Sequence, residues 1–209
     1  MMPDESVVIV DYGMGNLGSI ANMIKKVGGT SIISSDPGAV AEARRLILPG
    51  VGAFDAAMTR LQERGLIDAL SRRVLQDKVP VLGLCLGMQL LGRRSEEGSL
   101  PGLGWIDAET RKFSFAQAQG PLRIPHMGWN SVTPRGNAPL FRDDPGPWRF
   151  YFVHSYHVCC ADESDVLGTT LYGYSFTSAV ARGNIFGMQF HPEKSHAFGM
   201  RLLKSFMSI

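Results

Sequence analysis

The chain has 209 residues, 44% of them hydrophobic and 19% charged, with mean hydropathy near zero, so it can bury a real core and disorder is excluded over most of its length. Its 21 basic and 19 acidic side chains leave a formal charge of +2 with no block of one sign, which excludes the electrostatic footprint of a nucleic-acid or membrane-surface binder. No apolar stretch approaches the ~18–20 residues of a membrane span, and Asp4 and Glu5 ahead of only Val7 to Val10 do not read as a signal peptide.

Val7 to Val10 predicts a strand, followed by a helix from about Asn16 to Lys26 that Gly28-Gly29 stops. Ser31-Ile32-Ile33 predicts a second strand, and Asp36-Pro37 supplies a cap and a first-turn proline for a short helix toward Ala43. Leu46 to Leu48 is a third strand. Helical sequence runs from Ala53 to Arg64, with Gly65 as its stop, and again from Leu66 to Gln76, before a strand from Val79 to Leu84 that ends at Cys85. From Gly98 to Gly146 the chain is rich in glycine and proline, which predicts loops and antiparallel hairpins. Arg149 to Val153 and Ile185 to Phe190 are later strands, and Ala197 to Met207 is a closing helix with Phe198, Leu202, Leu203 and Phe206 at helical spacing. Strands alternating with helices predict an α/β fold, a single domain over residues 1–209, with a largely parallel central sheet flanked by helices and antiparallel additions in the second half. Ligands are then expected where the strands deliver their carboxyl ends. Three cysteines, two of them adjacent, do not make a disulfide framework, so a reducing cytoplasm is expected, with Cys159 and Cys160 as packing residues. Trp105 and Trp148 are assigned to the core.

Two glycine-rich turns carry different messages. Gly13-Met14-Gly15-Asn16-Leu17-Gly18 matches G-x-G-x-x-G, with Asp36 at the distance of an acidic ribose ligand, and so admits a nucleotide-binding module. The same glycines also serve simply to make the turn, and Asp36 serves equally well as a helix cap. Gly83-Leu84-Cys85-Leu86-Gly87 between a strand and a helix has the form of a nucleophile elbow with a thiol in place of the hydroxyl. Its glycines relieve collisions across a sharp turn, and the amides of the following helix can lower a thiol pKa and hold an oxyanion. A thiol nucleophile needs a base and the base an orienter. His191-Pro192-Glu193 offers both, since residues two apart in extended chain share a face. Five histidines and three cysteines show no zinc-ligand spacing, and neither a metal nor a cofactor is expected.

These segments, together with Asp11 to Leu17, Leu48 to Gly52, Pro125-His126-Met127-Gly128-Trp129-Asn130, Tyr151 to Tyr156 and Gln189 to Ser195, resemble the triad-type, class I glutamine amidotransferases. Within them the likeness is to the glutaminase subunits of imidazole glycerol phosphate synthase, and it covers nearly the whole chain. The resemblance implies a flavodoxin-like fold and a Cys85, His191, Glu193 triad that hydrolyses glutamine to glutamate and ammonia. It implies oxyanion-stabilising amides at Leu86 and in the Val51-Gly52 loop. Glutamine would be held by Gly52, Gln89, Glu97, His154, Ser155 and Tyr156. It further implies a (β/α)8-barrel cyclase partner, joined at Met14, Asn16, Met127, Trp129 and Lys194, which adds the ammonia to a ribulosyl aminoimidazole carboxamide intermediate in histidine biosynthesis. Glutaminase activity that stays weak until the partner binds its substrate is implied as well, with the Pro49 to Gly52 strand as the switch. The Ser195 to Met200 segment also resembles glutaminase subunits that supply surface-polysaccharide sugar amidotransferases, and that alternative stands beside the first.

Overall fold

The computed structural model describes residues 6–115, 122–136, 138–141 and 146–209. Among these described residues thirteen strands and six α-helices follow in chain order. The first half contains β1 (Ser6–Val10), α1 (Leu17–Lys26), β2 (Thr30–Ser34), α2 (Pro37–Ala41), β3 (Leu46–Leu48), α3 (Phe54–Glu63), α4 (Leu66–Ser71), β4 (Val81–Leu84) and α5 (Leu86–Leu90). After it come β5 (Arg94–Ser95), β6 (Ala108–Lys112), β7 (His126–Ser131), β8 (Thr133–Pro134), β9 (Arg149–His154) and β10 (Tyr156–Cys160). The chain closes with β11 (Val166–Tyr172), β12 (Tyr174–Arg182), β13 (Ile185–Met188) and α6 (His196–Met207).

The main sheet runs β2-β1-β3-β4-β13-β12-β10-β6-β5, with β11 and β8 added on β12. From β2 to β13 every pair is parallel, and β12 turns the direction so that β10 and β6 continue antiparallel. The expected α/β architecture with antiparallel additions is therefore present. A parallel strand buried on both faces alternates its side chains between two cores. Val8 and Val10 join Leu46, Leu48, Phe54 and Leu61 on one face, whereas Val7 and Ile9 join Ile47, Leu82, Leu202 and Phe206 on the other. Trp105 and Trp148 are both buried.

Several boundaries differ from the sequence expectation for identifiable reasons. The Leu66–Gln76 helix is α4 followed by a π-turn over Arg72–Gln76. The strand expected from Val79 starts at Val81, because Val79 donates its amide back to the Arg73 carbonyl at 3.0 Å. The strand expected to reach Phe190 ends at Met188, where Gln189 turns to pair with Ser178 across the sheet. Within 98–146 the antiparallel pairing is as expected but the hairpins are not found among the described residues: β6, β7 and β8 pair antiparallel with β10, β9 and β11, all from later in the chain, and β7 with β9 forms a separate ribbon. The parts of that stretch at 116–121, 137 and 142–145 lie outside the described residues. The ribbon matters most, because it brings His126 opposite His154 at the mouth of the parallel sheet.

Candidate active site

Cys85 stands at the carboxyl end of β4, flanked by β3 and β13, at φ 53° and ψ −108°. A non-glycine residue there is strained, and such strain persists only where the surroundings impose it. They do so: the Cys85 amide donates to Met188 at 2.7 Å, and its carbonyl accepts from the amides of Met88 and Gln89 as the helix begins. Both flanking glycines are required, though not for one shared reason. A Cβ on Gly83 would lie 2.7 Å from the Gly87 carbonyl oxygen, across the elbow. One on Gly87 would lie 1.8 Å from the carbonyl oxygen of Leu48, on the neighbouring strand.

The His191 ring donates from Nδ1 to a Glu193 carboxylate oxygen at 2.8 Å, and both side chains are almost fully buried. The sequence expectation of a shared face in extended chain needs correction. Pro192 starts a 3-10 turn over Pro192–Lys194, and this turn carries Glu193 back onto the ring. Ser195 locks it, with Oγ donating to the His191 carbonyl at 2.6 Å and accepting from the Tyr151 amide at 3.0 Å. His191 Nε2 is buried without a fully formed hydrogen bond and is left for the Cys85 sulfur. Burial opposes the charged ring, but the pull of Cys85 and Glu193 overrides it and raises the His191 pKa to about 10. With Glu193 and Cys85 beside it, the ring holds a proton more tightly than a free imidazole. All three cysteines are free. Burial pushes the Cys159 thiol up, and the Cys160 thiol up to about 12, which suits packing residues and not nucleophiles.

A cavity of about 330 Å³ joins Cys85, His191, Val51, Gly52, Leu86, Gln89, Glu97, His154, Ser155, Tyr156 and Lys194. Every substrate and oxyanion candidate of the sequence thus lines one space, as does Lys194 from the interface set; Glu193 stands behind His191. Glu97 also supports the local fold, since it accepts the Phe54 amide at 2.9 Å, where Ala53 gives α3 no side-chain cap. Two residues carry more of the site than sequence reasoning assigned them. Fully buried Gln189 accepts from Gln89 Nε2 at 3.2 Å and directs its own amide at the Cys85 sulfur at 3.8 Å. Tyr12, also fully buried, donates to the Pro49 carbonyl at 2.5 Å. The sequence signal for both is their place just past the end of a strand, in the Asp11–Leu17 and Gln189–Ser195 segments that carry the family resemblance.

The remaining interface candidates separate. Met127 and Trp129 are 62% and 41% exposed on the outer face of β7, with Trp129 stacked on His196 at 5.8 Å. Asn16 instead caps α1 by accepting the Ser19 amide at 3.3 Å, and Met14 packs against the core beside Gly52. Asp36 caps α2, accepting the Gly38 amide at 3.0 Å, which is the cap role and not that of a ribose ligand. Arg60 and Arg64 hold the Gly13 and Asp11 carbonyls at 2.6 and 2.9 Å.

His154 and His126 are buried in contact, Nε2 to Nδ1 at 3.0 Å. Burial holds His154 down to about 3, against the pull of the Tyr156 carbonyl, and His126 down to about 4. Above the unfolded value of 6.5 both states are neutral. Below it the unfolded chain takes up a proton that folded His154 refuses, so stability falls with pH. His191, with its raised value, acts in the opposite sense: its contribution is full below 6.5 and is lost as pH rises through about 10. A His154→Gln protein lacks the first titration. It is expected to lose about 2 kcal/mol less stability than wild type between about pH 7.5 and about pH 5, read from urea midpoints. Equal losses would contradict a neutral buried His154.

Comparison with known proteins places the chain in a family. The family model for glutamine amidotransferase class-I matches residues 8–208. Imidazole glycerol phosphate synthase subunit HisH 2 of Methanococcus maripaludis is 54% identical over 96% of this chain and 98% of that protein. The subunit of the same name in Pseudomonas aeruginosa is 49% identical over 97% and 99%. HisH of Bdellovibrio bacteriovorus is 46% identical over 97% and 100%. Among solved structures, a glutamine amidotransferase superposes with TM-score 0.73 at 20% identity, covering 96% of this chain and 97% of that one. PurLQS from Thermotoga maritima superposes with TM-score 0.72 at 15% identity, covering 97% of each chain, and these two likenesses speak for the fold. With an elbow cysteine and a His-Glu pair meeting in one cavity, and a family match spanning almost all of its residues, the chain belongs to the class I glutamine amidotransferases.

Proposed function

We infer that the chain is the glutaminase subunit of imidazole glycerol phosphate synthase, releasing ammonia from glutamine for a (β/α)8-barrel cyclase subunit in the cytoplasm. The observation that carries the reading is the meeting of strained Cys85 with the His191-Glu193 pair in one cavity of about 330 Å³, large enough for an amino acid. The names of relatives 46–54% identical over nearly the whole chain support the pathway over the polysaccharide alternative.

In this mechanism the proton rests on His191 while Cys85 is a thiolate, a state that the raised His191 pKa favours. Sulfur attacks the side-chain amide carbon of glutamine, and the carbonyl electron pair moves to oxygen. Amides at Leu86, the first residue of α5, and in the Val51-Gly52 loop receive that charge. His191 passes its proton to the departing nitrogen, ammonia leaves, and a glutamyl thioester remains. His191 then takes a proton from water, whose oxygen attacks the thioester carbon; the carbon–sulfur bond breaks with its electron pair returning to sulfur, the new carboxylic acid leaves as glutamate once it loses its proton to solvent, and the Cys85 thiolate beside protonated His191 is restored. Glu193 keeps the ring oriented throughout. Gly52, at φ 108°, lets the Pro49 to Gly52 segment turn a peptide toward the oxyanion at little steric cost. The outer face of β7, with exposed Met127 and Trp129, is where the partner docks in this reading, and Met14, Asn16 and Lys194 are the further contacts that the family resemblance implies. The test is transfer of the glutamine amide nitrogen into the cyclase product by the two subunits together. Glutamate formed without transfer would leave a hydrolase and remove the synthase role.

A further inference from the structure

The two buried histidines belong to a longer chain of hydrogen bonds whose directions can be solved. The Tyr156 carbonyl only accepts, so His154 Nδ1, at 2.7 Å from it, carries the proton. A neutral His154 then has a bare Nε2, which requires His126 to donate from Nδ1 at 3.0 Å. His126 Nε2 is bare in turn and accepts from the Asn130 amide nitrogen at 3.2 Å. That amide is oriented by its second bond, to the Leu171 carbonyl at 2.9 Å, while Asn130 Oδ1 accepts the Ser131 amide at 2.8 Å. At the inner end the Tyr156 carbonyl also accepts from Gln89 Nε2 at 3.3 Å, and Gln89 meets Gln189, which points at Cys85. One tautomer of each histidine satisfies every member.

His126 is the centre of this chain and lies outside the cavity. Its ring is sandwiched between Tyr172 at 4.1 Å and Phe152 at 4.8 Å, so packing holds the plane while the two nitrogens set the direction. We propose that His126 is a positioning residue for glutamine hydrolysis, acting through His154 to fix the Tyr156 carbonyl and the Gln89 amide that form the substrate side of the cavity. The proposal rests on the glutaminase reading. Its effect falls mainly on binding, because His126 reaches the cavity wall through the Tyr156 carbonyl and Gln89, whereas the Cys85 sulfur is met only one residue further on, by Gln189 at 3.8 Å.

Three variants of the full chain separate this role from plain packing. His126→Phe keeps the aromatic sandwich and removes the donor. His126→Gln places its amide near the Nε2 position, and His126→Asn places a donor near Nδ1. The first two are expected to raise the KM for glutamine about 5–10-fold with kcat changed less than about 3-fold, the size of one buried hydrogen bond, and His126→Asn is expected to restore most of the loss. An unchanged KM in His126→Phe and His126→Gln, or a loss in His126→Asn equal to theirs, would overturn the positioning role alone. Absence of glutamate release by the wild-type chain paired with a cyclase subunit would overturn the glutaminase reading itself.

Discussion

Replacing Cys85 by alanine is expected to reduce glutamate release from glutamine by at least about 10⁴-fold while leaving the fold intact. The expectation follows from what else the cavity contains. Cys159 and Cys160 are half-buried thiols whose charged forms are disfavoured, and both lie on β10, so neither supplies a replacement nucleophile. Hydrolysis by water alone would retain the His191-Glu193 pair and the backbone amides proposed to receive the oxyanion. Those parts orient a general base but leave water without the covalent step that splits one barrier into two. Alanine also relaxes little at φ 53°, because its Cβ meets the same backbone limits as that of cysteine, so any gain in stability should be small. Glutamate release by Cys85→Ala within tenfold of wild type would remove Cys85 from the mechanism.

The second large effect is structural. Gly87→Ala puts a methyl group 1.8 Å from the Leu48 carbonyl oxygen, a backbone atom of β3, where no rotamer change gives relief. Either α5 lifts from the sheet or β3 moves, and both displace Cys85. A loss of roughly 3–5 kcal/mol, or failure to fold, is the expected result. Gly18→Ala is the control. Gly18 lies in the first turn of α1, at an ordinary φ, and a Cβ there meets nothing within 4 Å. The same change should therefore stabilise by about 0.5–1 kcal/mol. Thermal melting of the two proteins checks both signs. Equal melting points would show that the elbow is not closed by backbone contact.

This contrast also shows which motif in the sequence was informative. Gly83-x-Cys85-x-Gly87 is legible because Gly83 answers a local collision across the turn, although the need for Gly87 comes from the Leu48 carbonyl on the neighbouring strand; the turn they permit dictates the chemistry at its tip. The third glycine of the G-x-G-x-x-G match faces open space, and the acidic residue that would complete it caps a helix instead. Helices with clear caps, such as α1 after Asn16 and α2 after Asp36, fall where local rules put them. What the sequence does not carry is the pairing of distant polar groups. Gln89 with Gln189 and His126 with His154 are separated by 100 and 28 residues and leave no period along the chain. Their partners are set by the crossover that lays β13 beside β4 and by the β7-β9 ribbon, which are long-range facts of the fold. The His191-Glu193 pair is legible in the sequence, but its route is not, since a 3-10 turn that Pro192 initiates makes the contact in place of extended chain.

The proposed synthase role requires nitrogen leaving glutamine at Cys85 to reach the second subunit's product before water protonates it to ammonium, which has no lone pair to act as a nucleophile. The most direct measurement supplies [amide-¹⁵N]glutamine to the chain together with a histidine-pathway cyclase subunit and its ribulosyl substrate, in an excess of unlabelled ammonium, and follows the isotope into the imidazole ring. The predicted result is ¹⁵N-labelled imidazole glycerol phosphate in step with glutamate, undiluted by the ammonium and absent with the Cys85→Ala chain. Glutamate formed while the imidazole product stays unlabelled would contradict the account.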